Sequence, residues 1–320
     1  MRRESVTWLV LAAMLIGGFF GTVMLLNATL YSASGFVRGY LDALVRHDAE
    51  GALELAGPNV GGDASTALLS RDAMGELSDI RLVSATVTDS GEHTVMYSYR
   101  AGGVIGESTF SVRPTGTLLG LFDTWAFATS PLGVIELTVQ HDDQFTANGV
   151  DLITPAQNSV VPYLVFTPGL YEFEHESHFL SAEPVRVAAV APGEAVSARL
   201  NIQANAVFAV RVSEEVDSFL DACVDQHVLL PTGCPFGQTI NNRVITTPVW
   251  SMIDYPEVVI VPGREPSEWR MSEASATAHL LVDVRSLFDG TVTTFDEDVQ
   301  FGVHATVTFL PADELLIVVG

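Results

Sequence analysis

The chain has 320 residues, 39 of them acidic and 15 basic, for a formal net charge of -24. Every basic residue is arginine, and the absence of lysine excludes a P-loop lysine, a Schiff-base lysine and a Ser-x-x-Lys nucleophile. The acidic field disfavours nucleic acid, whereas the 48% apolar content and the length allow two or three domains with well-formed cores.

The first strong feature is WLVLAAMLIGGFFGTVMLL, residues 8–26, with no charged side chain between Glu4 and Arg38. A run of this length matches the roughly 20 residues needed to cross a hydrocarbon layer of about 30 Å. Residues 8–30 are therefore expected to form a transmembrane anchor. Arg2 and Arg3 precede it, which places residues 1–7 in the cytoplasm and the rest of the chain outside, at the plasma membrane. The rival reading is a cleaved leader, with Ser32 and Ser34 as a small-x-small pair. Ala13, Gly17 and Gly21 lie four apart on one helical face, a spacing that lets two such helices approach as a homodimer.

After the anchor, Phe36, Tyr40, Leu41, Leu44 and Val45 recur at helical spacing. Asp48 is a suitable N-cap for a second helix through Ala56, closed by the turn-rich GPNVGG, and a third short helix is expected over 64–71. The pattern then turns to strands. RLVSATVT, HTVMYSYR and residues 106–112 alternate in the manner of a meander, with a turn at Arg113-Pro114-Thr115-Gly116 and a further strand over 118–127. Helices followed by a meander predict an α+β unit over 36–129. FVRGYLDALVRHDAEGALELAG with its following strands resembles the opening of the cone domain of the nuclear transport factor 2-like family. That likeness implies a curved sheet wrapped around helices, often with a pocket, in a family of enzymes, transport factors and noncatalytic accessory domains.

Pro131-Leu132-Gly133 marks a boundary, and residues 133–209 read as an all-β module with turns at Asn148-Gly149, Thr167-Pro168-Gly169 and Pro192-Gly193. The Asn-Gly turn followed by Phe166-Thr167-Pro168-Gly169-Leu170-Tyr171 resembles the repeated β-modules of bacterial envelope proteins of the TcaA type. That resemblance implies a spacer or structural module. Helical periodicity returns over 211–228 through Val212, Val216, Phe219, Leu220 and Cys223. FLDACVDQH there echoes YLDALVRHD at 40–48, which suggests a repeated helix-plus-sheet arrangement. From Val244 onward the chain is strand-like, giving a second α+β domain over 211–320 whose closing run, LLIVVG, is expected to be a buried strand.

Cys223 and Cys234 are the two cysteines; in an oxidising compartment they are expected to form a disulfide that staples LLPTGCPFG to the helix end. The alternative use of Cys223, a thiolate paired with His227 one helical turn on, is weaker because Cys234 offers it a partner. YEFEHESH places Glu172, Glu174, Glu176 and His178 on one face of a strand. Glu174, Glu176 and His178 are the best metal-ligand candidates, against the plainer reading of a solvated face. His141-Asp142-Asp143 and Asp296-Glu297-Asp298 read as acidic turns, and Glu214, Glu215, Asp217, Asp221 and Asp225 as an acidic helix surface. Trp125, Trp250 and Trp269 are pocket-lining or packing residues. No catalytic residues and no cofactor are assigned. These features point to a single-pass envelope protein with a noncatalytic binding or assembly role outside the membrane, meeting an envelope protein or a small ligand. The alternatives are a sensor of a small molecule or peptide through a cone-like pocket, and an extracytoplasmic hydrolase.

Overall fold

The computed structural model describes residues 2–57, 62–89, 91–265, 267–311 and 314–320. It shows an α+β fold with an N-terminal apolar helix and several β-sheets. The helices are α1 (Arg2–Ala28), α2 (Ala33–Val45), α3 (Ala49–Ala56) and α4 (Ala206–Val224). The first strands are β1 (Leu77–Val87), β2 (His93–Ala101), β3 (Val104–Leu118), β4 (Phe122–Phe127), β5 (Leu132–Gln140) and β6 (Gln144–Ala147). Then follow β7 (Val150–Ile153), β8 (Val160–Phe166), β9 (Gly169–Glu176), β10 (Leu180–Ala189), β11 (Ala195–Asn201) and β12 (Gln203–Ala204). The last are β13 (Arg243–Val244), β14 (Val249–Asp254), β15 (Ile260–Pro262), β16 (Glu268–Arg285), β17 (Val292–Leu310) and β18 (Glu314–Val319). Two compact units result. One comprises Met1–Val139, Asp143–Glu174 and Pro184–Leu200; the other comprises Gln140–Asp142, His175–Glu183 and Asn201–Gly320.

In the first unit, α1 holds an apolar window, Leu11–Ala28, with a mean hydropathy of 1.8 and none of it buried against the rest of the chain. It is long and apolar enough to cross a membrane. A short turn leads into α2, where Ser32 Oγ accepts a hydrogen bond from the Gly35 N–H at 3.0 Å and so caps the helix. Asp48 caps α3 in the same way, accepting from the Gly51 N–H at 3.0 Å. The buried stripe of α2, Val37, Tyr40, Leu41 and Leu44, packs with Ala52 of α3 against Val95, Tyr97, Phe110 and Phe127 of the sheet β1-β2-β3-β4. The Tyr40 hydroxyl donates to the Pro131 carbonyl at 3.1 Å, so the one polar atom of this fully buried side chain is satisfied. A second sheet in this unit has the order β11-β5-β8, and β6 pairs with β7 across the Asn148-Gly149 turn.

Three segments of this unit differ from the sequence reading. The single strand expected over 118–127 is broken after Leu118, where the Leu121 N–H donates to the Leu118 carbonyl at 3.1 Å and the chain turns from β3 into β4. Residues 64–71 do not form a helix, because the Ser65 N–H donates to Pro162 and its carbonyl accepts from Leu164, both at 2.8 Å. This pairing to β8 takes the backbone groups a helix would use. At Arg113-Pro114-Thr115-Gly116, β3 continues instead of turning. The β2 pairing ends at Val112, so Pro114 sits where β3 has only β4 beside it, and a register shift between Pro114 and Gly116 absorbs the extra residue. The turn-rich GPNVGG at 57–62 includes residues 58–61, which lie outside the described residues.

In the second unit, α4 starts at Ala206, five residues before the expected Arg211. Asn205 is its N-cap, accepting from the Phe208 N–H at 3.1 Å while its amide donates to the Ser177 and His178 carbonyls. Phe208, Val212, Val216, Leu220 and Cys223 form its buried stripe. The aligned fragments end alike: α2 closes at Val45 with Arg46 as C-cap, and α4 closes at Val224 with Asp225. The sheet of this unit runs β13-β16-β17-β18, with β14 and β15 also pairing to β16. The closing strand is not buried as expected. As the last strand of this order β18 covers only one side of β17, and Leu316 remains 50% exposed.

Candidate functional site

A concave surface lies on the first unit, where α2, α3 and β4 meet. Helix α2 supplies Phe36, Gly39 and the edge of the buried Ala43; α3 adds Glu54 and Leu55, and β4 adds Trp125. They line an open cleft of about 500 Å³. Its floor is apolar. Phe36 is seated on Phe127 with ring centroids 5.0 Å apart, and Trp125 is fixed by its Nε1–H, which donates to the Tyr31 carbonyl at 2.7 Å. Gly39 leaves the wall open, since a Cβ there would meet nothing within 4 Å.

A second cleft of about 530 Å³ continues round the α2–α3 corner, lined by Arg46, His47, Asp48, Glu50 and Arg71. Arg46 and Asp48 belong to both. The pair forms a two-lobed groove, apolar at one end and charged at the other. Asp48 is committed to capping α3, and its 3.9 Å approach to Arg46 is too long and too exposed to add much stability. Among the described residues the lining offers carboxylates, an imidazole and two guanidinium groups but no hydroxyl or thiol nucleophile. Such a surface is suited to holding a molecule with an apolar body and a charged end.

The cysteines meet the expectation: Cys223 and Cys234 are disulfide-bonded. Around the bond, Gln226 donates to the Thr232 carbonyl at 3.2 Å and accepts from its N–H at 2.7 Å, while Phe236 packs at a tilt against Trp250 with ring centroids 5.0 Å apart. The segment is thereby held to the end of α4, and Cys223 is not available as a thiolate.

Glu174, Glu176 and His178 are not brought into a metal-holding group; among the described residues no cluster of three or more His, Cys, Asp or Glu side chains is so arranged. Strand alternation turns Tyr171, Phe173 and His175 inward along β9. Glu172 pairs with Arg186 at 3.0 Å, and the Glu174 carboxylate accepts from Thr146 Oγ1 at 3.3 Å. His178 lies beyond the end of β9, with its ring against Phe179 at 4.4 Å.

Asp296-Glu297-Asp298 is not a turn but the middle of β17. Its acids are explained by His279 on β16, whose Nε2 lies 3.2 Å from Asp296 and whose Nδ1 lies 2.7 Å from Asp298. On α4, Arg211 answers Glu215 at 3.2 Å, and Asp221 accepts a short hydrogen bond from the Tyr255 hydroxyl. That bond, with burial and the charges of Asp221 and Asp217, pushes the Tyr255 phenol up to about 12. Burial and the neighbouring Asp221 raise the Asp217 carboxyl above its usual range. Trp250 and Trp269 are packing residues, 4% and 1% exposed. Of the three tryptophans singled out, Trp125 is the one that lines the groove.

Comparison of the chain with protein-family models, with curated proteins and with solved structures finds no match.

Proposed function

We propose that this chain is a single-pass protein of the cell envelope, anchored by α1, with a noncatalytic binding or assembly role outside the plasma membrane. The observation that carries the reading is the Leu11–Ala28 window: 18 residues, mean hydropathy 1.8, and none of them buried in the folded chain. An apolar helix left bare in water exposes more than a soluble protein tolerates, and a bilayer covers it. Arg2 and Arg3 before the span favour a cytoplasmic N-terminus. Ala13, Gly17 and Gly21 are exposed on α1, and a Cβ at either glycine would meet nothing within 4 Å, which supports their use as a homodimer face. The likenesses to nuclear transport factor 2-like cone domains and to TcaA-type β-modules fit the same reading, as an accessory domain carried with a spacer.

The two-lobed groove favours a second reading, a sensor of a small molecule or peptide. Crosslinking and affinity capture of the full chain from its native membrane, against an α1-only control, test the assembly role. The reading requires one partner recovered by the full chain, absent from the control and diminished by Arg46→Glu at the groove. Recovery of the same proteins by both would refute it, and ligand binding at the groove would then be the surviving function.

A further inference from the structure

The β3–β4 hairpin carries an exposed apolar tip beside the end of α1. No charged residue occurs between Arg113 and Asp123, and the turn is Leu118-Leu119-Gly120-Leu121. Leu119 is 84% exposed and Leu118 49%, with Leu30 of the α1–α2 connection at 71%. Two leucines at the tip of a soluble hairpin are a liability unless something apolar covers them.

The tip is held at one level along α1. The Asn27 amide donates to the Leu121 carbonyl at 2.7 Å, and its Oδ1 accepts from the Asp123 N–H at 3.3 Å. The Tyr31 ring stacks on Phe122 at 4.5 Å, and Trp125 Nε1 donates to the Tyr31 carbonyl at 2.7 Å. These contacts fix the turn against the last turn of the helix. A helix rises 1.5 Å per residue, so Trp8 to Asn27 spans roughly 30 Å, the thickness of the hydrocarbon layer. With Trp8 at one interface, Asn27 reaches the other, and the aromatic side chains Tyr31 and Trp125 fall where membrane proteins concentrate them.

We infer that the β3–β4 tip is a second membrane contact: Leu118 and Leu119 enter the headgroup–acyl boundary beside α1, continuing its apolar surface onto the folded unit. The inference rests on the anchor reading and goes beyond it. The unit then stands on the bilayer at two points instead of swinging from one helix. Both contacts are uncharged, so the binding is apolar and independent of anionic lipid, as the acidic chain requires.

The test uses the full chain in phosphatidylcholine vesicles, carrying a thiol-linked environment-sensitive fluorophore at Leu119→Cys and, separately, at Leu118→Cys. The native cysteines are disulfide-bonded and stay unlabelled. Leu15→Cys within α1 reports on the anchor, and Val104→Cys at the far end of β3, roughly 45 Å away along the strand, is the aqueous reference. Blue-shifted emission and loss of intensity to lipid-borne nitroxides at Leu15, Leu118 and Leu119, but not at Val104, is the expected result. Quenching at Leu15 with both tip positions still in water overturns the tip contact and leaves the anchor standing. Water exposure at Leu15 as well overturns both.

Discussion

Two glycines four residues apart on α2 have opposite consequences when replaced by alanine. At Gly39 a Cβ meets nothing within 4 Å, so Gly39→Ala gains the helix propensity of alanine, about 0.5–1 kcal/mol, and only narrows the groove. At Gly35 the Cβ would fall within overlap distance of the Thr29 and Leu30 carbonyl oxygens, the nearer of the two being Thr29. Both are backbone atoms of the connection from α1, and neither can swing aside. Overpacking of this kind costs about 1–3 kcal/mol. Both substitutions share most of the propensity gain, so the difference between them isolates the clash. Urea unfolding of the two full-length variants in detergent micelles should separate them by about 1–3 kcal/mol, with Gly35→Ala the less stable. Equal stabilities would refute the close approach at Gly35 and with it the tight joint between anchor and fold.

Other consequences follow from the same contacts. Asn27→Leu removes two hydrogen bonds worth about 1–2 kcal/mol together, so hydrogen exchange over β4 should quicken by roughly 5- to 30-fold; an unchanged rate would dissolve the clamp. Replacing Cys223 and Cys234 together by serine opens a loop with a sequence separation of 11 and should lower stability by about 2–3 kcal/mol, seen as a lower denaturation midpoint. Burial raises the phenols of Tyr40 and Tyr171 above their ordinary value of 10.0. The fold therefore holds these protons more tightly than the unfolded chain does. Stability should be complete below about pH 10 and fall as pH rises further, with tyrosinate absorbance appearing together with unfolding. Independent titration of all tyrosines before unfolding would contradict that burial.

What the sequence made legible was local. The cap at Asp48, the α2 stripe and the apolar run of α1 each depend on residues within a turn or two of one another. The disulfide was legible from cysteine number and compartment. What it hid was tertiary. Residues 64–71 carry a helical pattern but spend their backbone groups on β8, and Pro114 reads as a turn because nothing nearby shows that β3 has lost its β2 neighbour there. Ala206-Val207-Phe208 reads as strand until Asn205 is recognised as a cap. Asp296 and Asp298 look like a loop because His279 sits on another strand. The groove needs residues 36–55 and 125 to converge across the sheet, and Trp125 was its one member singled out from sequence as able to line a pocket.

As a membrane anchor, α1 remains with the folded chain. Intact mass and N-terminal sequencing of the protein extracted from its native membrane test it most directly. An anchored protein retains residues 8–30 and resists extraction at alkaline pH. A mature protein beginning after Ser34 would contradict it.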